Sequence, residues 1–136
     1  MKTANVVIAG APRCGTTSTF YWLSRHPQVC ASNVKETYYF IDRGYTFFNE
    51  DANYTDHNLA AYHRYFDHCR NEKVVLEATP DYLYQKSAIE GLRRLNAKVI
   101  FILRKPSERV FSFIKFAQHN MNVLDKKLSF AQVVQD

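Results

Sequence analysis

The sequence predicts a three-layer α/β fold, a central parallel sheet entered at its N-terminus by a strand, a glycine-bounded loop and a helix. Three short apolar runs predict the sheet, at residues 5–9 (NVVIA), 73–78 (KVVLEA) and 98–103 (KVIFIL). Each is continuous and rich in β-branched residues, the pattern of a strand covered on both faces. A helical segment follows each one, and alternation of strand and helix favours parallel pairing, with ligands at the carboxyl ends of the strands.

The elements follow in order. The first strand ends at Gly10, and the segment 16–25 is a helix, with Phe20 and Leu23 at helical spacing and His26-Pro27 as its stop. A polar and aromatic stretch comes next, with a helix expected over 57–69. The second strand runs into Thr79-Pro80 and a helix over 86–96; the third runs into Arg104-Lys105-Pro106 and a helix over 106–118. Residues 129–134 are again helical. The 136 residues, 46% hydrophobic with ten Phe, nine Tyr and one Trp, suffice for one domain with a sizeable core.

The formal net charge of +5 suits an anionic ligand. Its Lys and Arg residues are scattered, and no zinc-finger or aromatic-basic signature points to nucleic acid. Cys14, Cys30 and Cys69 are odd in number and lack C-x-x-C spacing, which favours neither a disulfide framework nor a zinc site. Reduced cysteines and a cytoplasmic location are expected. No apolar segment approaches the ~20 residues that span a bilayer, and the N-terminal apolar stretch is too short for a secretory signal. Nothing in the sequence sets an oligomeric state.

The chemistry begins at GAPRCGTTS, residues 10–18. Gly10 and Gly15 have the spacing of a Walker A loop, so the element is P-loop-like, but Thr16 stands where that motif has lysine, and Arg13 lies inside the loop. A strand, a tight turn and a helix opening on Thr16-Thr17-Ser18 form an anion site from the backbone, because the first helical N–H groups have no intrahelical partner and face the positive end of the dipole. Without the lysine, and without a clear strand ending in a magnesium-binding aspartate, a kinase or NTPase is the weaker reading. An inert module that holds a phosphorylated ligand is the other alternative.

The loop resembles the 5′-phosphosulfate loop of the sulfotransferases that use 3′-phosphoadenosine-5′-phosphosulfate (PAPS), close to G-x-x-K-x-G-T-T, with Arg13 on the basic position. Residues 104–112, RKPSERVFS, resemble the 3′-phosphate motif R-x-P-x-x-R-x-x-S of that family. Residues 35–40, KETYYF, resemble the K-E-x-x-F-F of heparan sulfate N- and 3-O-sulfotransferases. A weaker likeness is EATPDYL, residues 77–83, to E-K-S/T-P-x-Y, with Ala78 in place of the lysine.

The resemblance implies a sulfotransferase-like PAPS-binding domain over residues 1–136, the N-terminal portion of a fold that in the family runs to about twice this length. It implies Arg13, Cys14, Gly15, Thr16, Thr17 and Ser18 at the phosphosulfate and Arg104 and Ser112 at the 3′-phosphate, with Arg109 supporting. Glu36 is implied as the base, with Arg13 and Lys35 stabilising charge, PAPS as co-substrate, PAP as product and no metal. The implied partner is a hydroxyl or amine acceptor, a carbohydrate or a small molecule. His26, His57, His63, His68 and His119 are competing bases. Tyr38, Tyr39, Phe40, Tyr45, Phe47 and Phe48 are candidates for an acceptor pocket or for the core.

Overall fold

Successive residues of a strand point to opposite faces of a sheet, and here both faces meet apolar partners. In the computed structural model, which describes residues 1–55 and 57–135, four strands form one parallel sheet in the order β2-β3-β1-β4. They are β1 (Val6–Gly10), β2 (Val29–Ala31), β3 (Val74–Ala78) and β4 (Lys98–Phe101). The helices are α1 (Thr16–Ser24), α2 (Ala60–His63), α3 (Lys86–Arg94), α4 (Pro106–His119) and α5 (Phe130–Gln135). The chain divides into two compact units, Met1–Ile102 with the sheet and α1 to α3, and Leu103–Asp136 with α4 and α5.

Ile8, Leu76 and Ala78 face α1 and bury Phe20 against them. Val7, Ala9 and Val75 face the other way, onto Tyr39, Phe40, Tyr62, Phe66 and the α3 residues Ala88 and Leu92. The first unit is thus the expected three layers. One of the covering layers, however, is largely an aromatic loop region rather than helix. Phe40 sits at its centre, with its ring 4.9 Å from that of Tyr62 and 5.1 Å from that of Tyr54. It packs directly on Gly91, where an added Cβ would overlap the Phe40 ring. Gly91→Ala is therefore expected to destabilise the protein by about 1–3 kcal/mol through overpacking, read as a lower midpoint in urea.

Three expectations are corrected. The helix over 57–69 is instead the four-residue α2 followed by a 3₁₀ turn, Arg64–Phe66. The edge strand β2 was not anticipated; its three residues take their register from β3, Val29 opposite Val74 and Ala31 opposite Leu76. Cys30 and Cys69 are not reduced thiols but a disulfide, joining β2 to the segment after the 3₁₀ turn across 39 residues of sequence; Cys14 is free and buried. Closing a loop of that length restricts the unfolded chain by about 3–4 kcal/mol in the chain-entropy model. Replacing both cysteines by Ala is expected to lower Tm by about 10 °C, measured by calorimetry.

The start of α3 has a cap drawn from far away in sequence. Asp42 accepts the N–H groups of Lys86 (2.9 Å) and Ser87 (2.8 Å), and Gln85 Oε1 accepts the Asp42 N–H at 2.9 Å. Burial raises the Asp42 carboxyl, but the Ser87 and Lys86 hydrogen bonds outweigh it and hold it below the usual carboxylate range. In the second unit, Gln118 is buried and donates to the carbonyls of Asp125 and Leu128, both at 2.9 Å, fastening the turn between α4 and α5.

Candidate active site

The glycine loop, where the sequence predicts a phosphate, leaves the carboxyl end of β1. It is fastened to the strand beside it, since Ala11 N–H donates to Ile102 O (2.9 Å) and Ile102 N–H to Gly10 O (2.8 Å). Arg13 (φ 63°) and Gly15 (φ 84°) both take left-handed backbone, which turns the chain sharply into α1. Gly15 is the N-cap of α1 and has no side chain to cap it. A Cβ there would meet nothing within 4 Å. Open space over a left-handed glycine, at a helix start with uncapped N–H groups, fits a phosphate-bearing ligand. Arg13, Gly15, Thr17 and Ser18 are exposed, whereas Cys14 and Thr16 are buried, and Cys14 Sγ turns back to Pro12 O at 3.6 Å. What Cys14 offers a ligand is therefore backbone.

Glu36 reaches the same edge of the sheet. Its N–H donates to Ala78 O at 2.8 Å, at the end of β3, and Ala78 is paired with Ile8 of β1, two residues before Gly10. The Glu36 segment, which follows β2, thus lies against the carboxyl end of β3, beside the strand β1 from which the glycine loop departs. The Glu36 carboxylate is partly exposed and held on both oxygens: Lys35 Nζ lies against Oε1, and Tyr38 donates its hydroxyl to Oε2 at 2.5 Å. Burial, then the Glu36 hydrogen bond and charge, push the Tyr38 phenol well above its ordinary value, so it remains a donor. Tyr38 stacks on the exposed Phe47 with ring centroids 4.7 Å apart. Beside them Tyr45 donates to Asp81 Oδ1 at 3.0 Å.

The second predicted phosphate site lies in the second unit. Pro106 opens α4, where its fixed φ suits the first turn, and Arg104 precedes it. An open groove of about 530 Å³ is lined by Arg104, Ser107, Glu108, Phe111, Ser112, Lys115 and Phe130. Arg104 and Ser112 are brought together, as their spacing predicts, and Lys115 adds a cation that the motif did not name. Arg104 Nε meets Glu108 Oε2 at 3.3 Å, an exposed pair. Arg109 is half-buried and does not line this groove.

The family model described as sulfotransferase domain matches residues 3–136. The chain belongs to the sulfotransferase domain family. It is 30% identical over 118 residues to the membrane-associated sulfotransferase kil1 of Dictyostelium discoideum, a match covering 83% of this chain and 23% of that protein. It also superposes on the crystal structure of a sulfotransferase from Alicyclobacillus acidocaldarius with a TM-score of 0.78 at 27% identity, covering 99% of this chain and 57% of that one. The chain therefore spans under a quarter of the first relative and somewhat over half of the second.

Within this sulfotransferase domain, the sequence did not reveal Tyr38 as the partner of Glu36, or the role of Glu77. Glu77 is wholly buried, on the aromatic face of β3. The signal was a carboxylate inside an otherwise apolar strand, a placement that demands partners. Of the six aromatic candidates, Tyr39 and Phe40 belong to the core, while Tyr38 meets Glu36 and carries Phe47 stacked on its ring. The three histidines expected on one helix are separately engaged: His57 with Glu90 (2.7 Å), His63 with Lys2 O (2.7 Å) and His68 with Ala31 O (2.9 Å). Cys30, Cys69 and His68 bring donor atoms within 4.8 Å of one another, but the two sulfurs are bonded to each other and carry no thiolate charge for a metal. Among the described residues, no helix is long and apolar enough to cross a membrane.

Proposed function

We propose that this sulfotransferase domain serves the transfer of a sulfuryl group from PAPS to a hydroxyl or amine of a carbohydrate or small-molecule acceptor. The observation that supports it best is that Glu36, held by its N–H on the end of β3, and the phosphate loop, leaving β1, meet the carboxyl ends of adjacent strands. Glu36 accepts the proton of the acceptor as its oxygen or nitrogen attacks sulfur in line. The bond from sulfur to the bridging oxygen breaks, and Arg13 with the first N–H groups of α1 stabilises the charge left on the 5′-phosphate. Lys35, against Glu36 Oε1, pairs its positive charge with the carboxylate. Arg13 replaces the compact charge of a lysine by a fork that can bind two oxygens. Arg104 and Ser112 are assigned the 3′-phosphate, a dianion suited to a guanidinium.

The premise of reduced cysteines, on which a cytoplasmic location rested, is removed by the Cys30–Cys69 bond. We propose that the domain matures in an oxidising compartment, where such bonds persist.

Calorimetric titration with PAP, with ATP and with ATP plus magnesium, followed by a labelled-sulfate transfer assay on a hexosamine disaccharide, a phenol and a tyrosyl peptide, tests the reading. PAP binding that needs no magnesium, together with transfer, is expected. Magnesium-dependent ATP binding in preference to PAP would favour a kinase, and PAP binding without transfer an inert module.

A further inference from the structure

The Glu36 segment adopts a backbone that its own sequence does not favour. Glu36 (φ 65°) and Tyr38 (φ 52°) are both left-handed, although neither is glycine. Each such residue costs about 1–2 kcal/mol, so something outside the segment must hold it. The N–H groups of Tyr39 and Phe40 show what does. The first ends on Thr37 Oγ1 and the second on Tyr82 OH, both at 3.3 Å. Those two hydroxyls in turn donate to one atom, Glu77 Oε1, at 2.6 and 2.7 Å. Thr79 Oγ1 donates to the same oxygen at 2.9 Å, and Tyr62 OH to Oε2 at 2.5 Å.

A wholly buried carboxylate is poor value as a stabilising device, since apolar replacements of buried charges are often neutral or better. Burial pushes the Glu77 carboxyl up, against the opposing effect of its four hydroxyl partners. What a carboxylate alone supplies is an acceptor without a donor, able to collect hydroxyls from several elements at one point. Here they come from the base segment (Thr37), the end of β3 (Thr79), the 3₁₀ turn Pro80–Tyr84 (Tyr82) and α2 (Tyr62). Glu77 also stands next to Ala78, whose carbonyl takes the Glu36 N–H. The base is therefore anchored through its own N–H and through the side chain of the residue after it.

We propose that Glu77, acting through the hydroxyls of Thr37 and Tyr82, is a positioning residue that fixes the Glu36 carboxylate for proton transfer. This rests on the reading of Glu36 as the base. It assigns Thr37 and Tyr82 the same positioning task, and all three residues are buried.

The test uses the full chain with Thr37→Val, which cuts the connection without changing side-chain shape, Thr37→Ser, which keeps the hydroxyl, and Tyr82→Phe as a second, independent cut. Thr37→Val and Tyr82→Phe are each expected to lower kcat about 100-fold, the penalty of a misplacement near 1 Å, with KM for PAPS unchanged. Thr37→Ser should recover most of the loss. In a Glu36→Gln background, Thr37→Val should cost nothing further, because both changes remove the same function. An undiminished penalty in that background, or a loss that follows KM for PAPS, would overturn the proposal.

Amide hydrogen exchange separates this from failure of the base reading. If Glu36→Gln keeps full turnover, or the unsubstituted protein transfers no sulfate, Glu36 is not shown as the base, but the anchoring is still measurable. Thr37→Val should speed exchange at Glu36 and Tyr39 about tenfold or more while the β3 amides keep their protection. Unchanged exchange there, or a uniform rise that includes β3, counts against Glu77 as a positioning residue.

Discussion

Glu36→Gln is expected to abolish sulfuryl transfer while leaving PAP affinity unchanged. Glutamine has the shape of glutamate, and its carbonyl oxygen can still accept the Tyr38 hydroxyl that now donates to Oε2. What it loses is the negative charge facing Lys35 and the capacity to take a proton. Removal of a general base costs about 10²–10⁴ in rate. The phosphate loop has its own fastening to Ile102, and Glu36 takes no part in it, so nucleotide binding should not follow the loss. Single-turnover transfer with labelled PAPS, beside calorimetry with PAP, measures both quantities on one preparation. Retained transfer would send the search to the histidines. Among these, His63 and His68 would first have to give up contacts to the main-chain carbonyls of Lys2 and Ala31.

The parts of this site visible in the sequence are those built from local chain. The strands β1, β3 and β4 are continuous apolar runs, and the loop between Gly10 and Thr16 is a local turn in which Gly15 marks the left-handed bend into α1. Arg104 lies two residues before α4 and Ser112 in its second turn, so the short turn at Lys105-Pro106 brings them to one groove from nearby chain. The misses share an opposite cause. The strand β2 is V-C-A, too short to show any period, and exists through pairing with β3. The segment 57–69 carries helix-compatible residues, but Tyr62 and Phe66 are drawn into the core, and the disulfide at Cys69 secures the chain directly beyond the 3₁₀ turn. The partners of Glu77 come from residues 37, 62, 79 and 82, a meeting that no spacing rule connects.

Arg104→Ala is expected to weaken PAP binding about 30- to 100-fold while leaving AMP, which lacks the 3′-phosphate, bound as before. A charge-assisted guanidinium–phosphate contact is worth about 2–3 kcal/mol, which sets that range. The contrast between the two nucleotides is the informative part. If Arg104 reads the 3′-phosphate, deleting the side chain and deleting the phosphate remove one interaction, and the two losses will not add. Arg104→Lys should recover only part, because a lysine keeps the charge without the fork. The structure adds a competitor within the groove: Glu108 Oε2 lies 3.3 Å from Arg104 Nε, and a phosphate must share or displace it. That pair is exposed and worth less than about 1 kcal/mol, so it yields to a dianion but lowers the affinity. Glu108→Gln should therefore tighten PAP binding severalfold and leave AMP unchanged, opposite in sign to Arg104→Ala and at the same phosphate. Calorimetry of the four combinations of PAP or AMP with Arg104 or Ala, repeated with Glu108→Gln, decides the assignment. Equal weakening of PAP and AMP by Arg104→Ala would move the 3′-phosphate away from this groove.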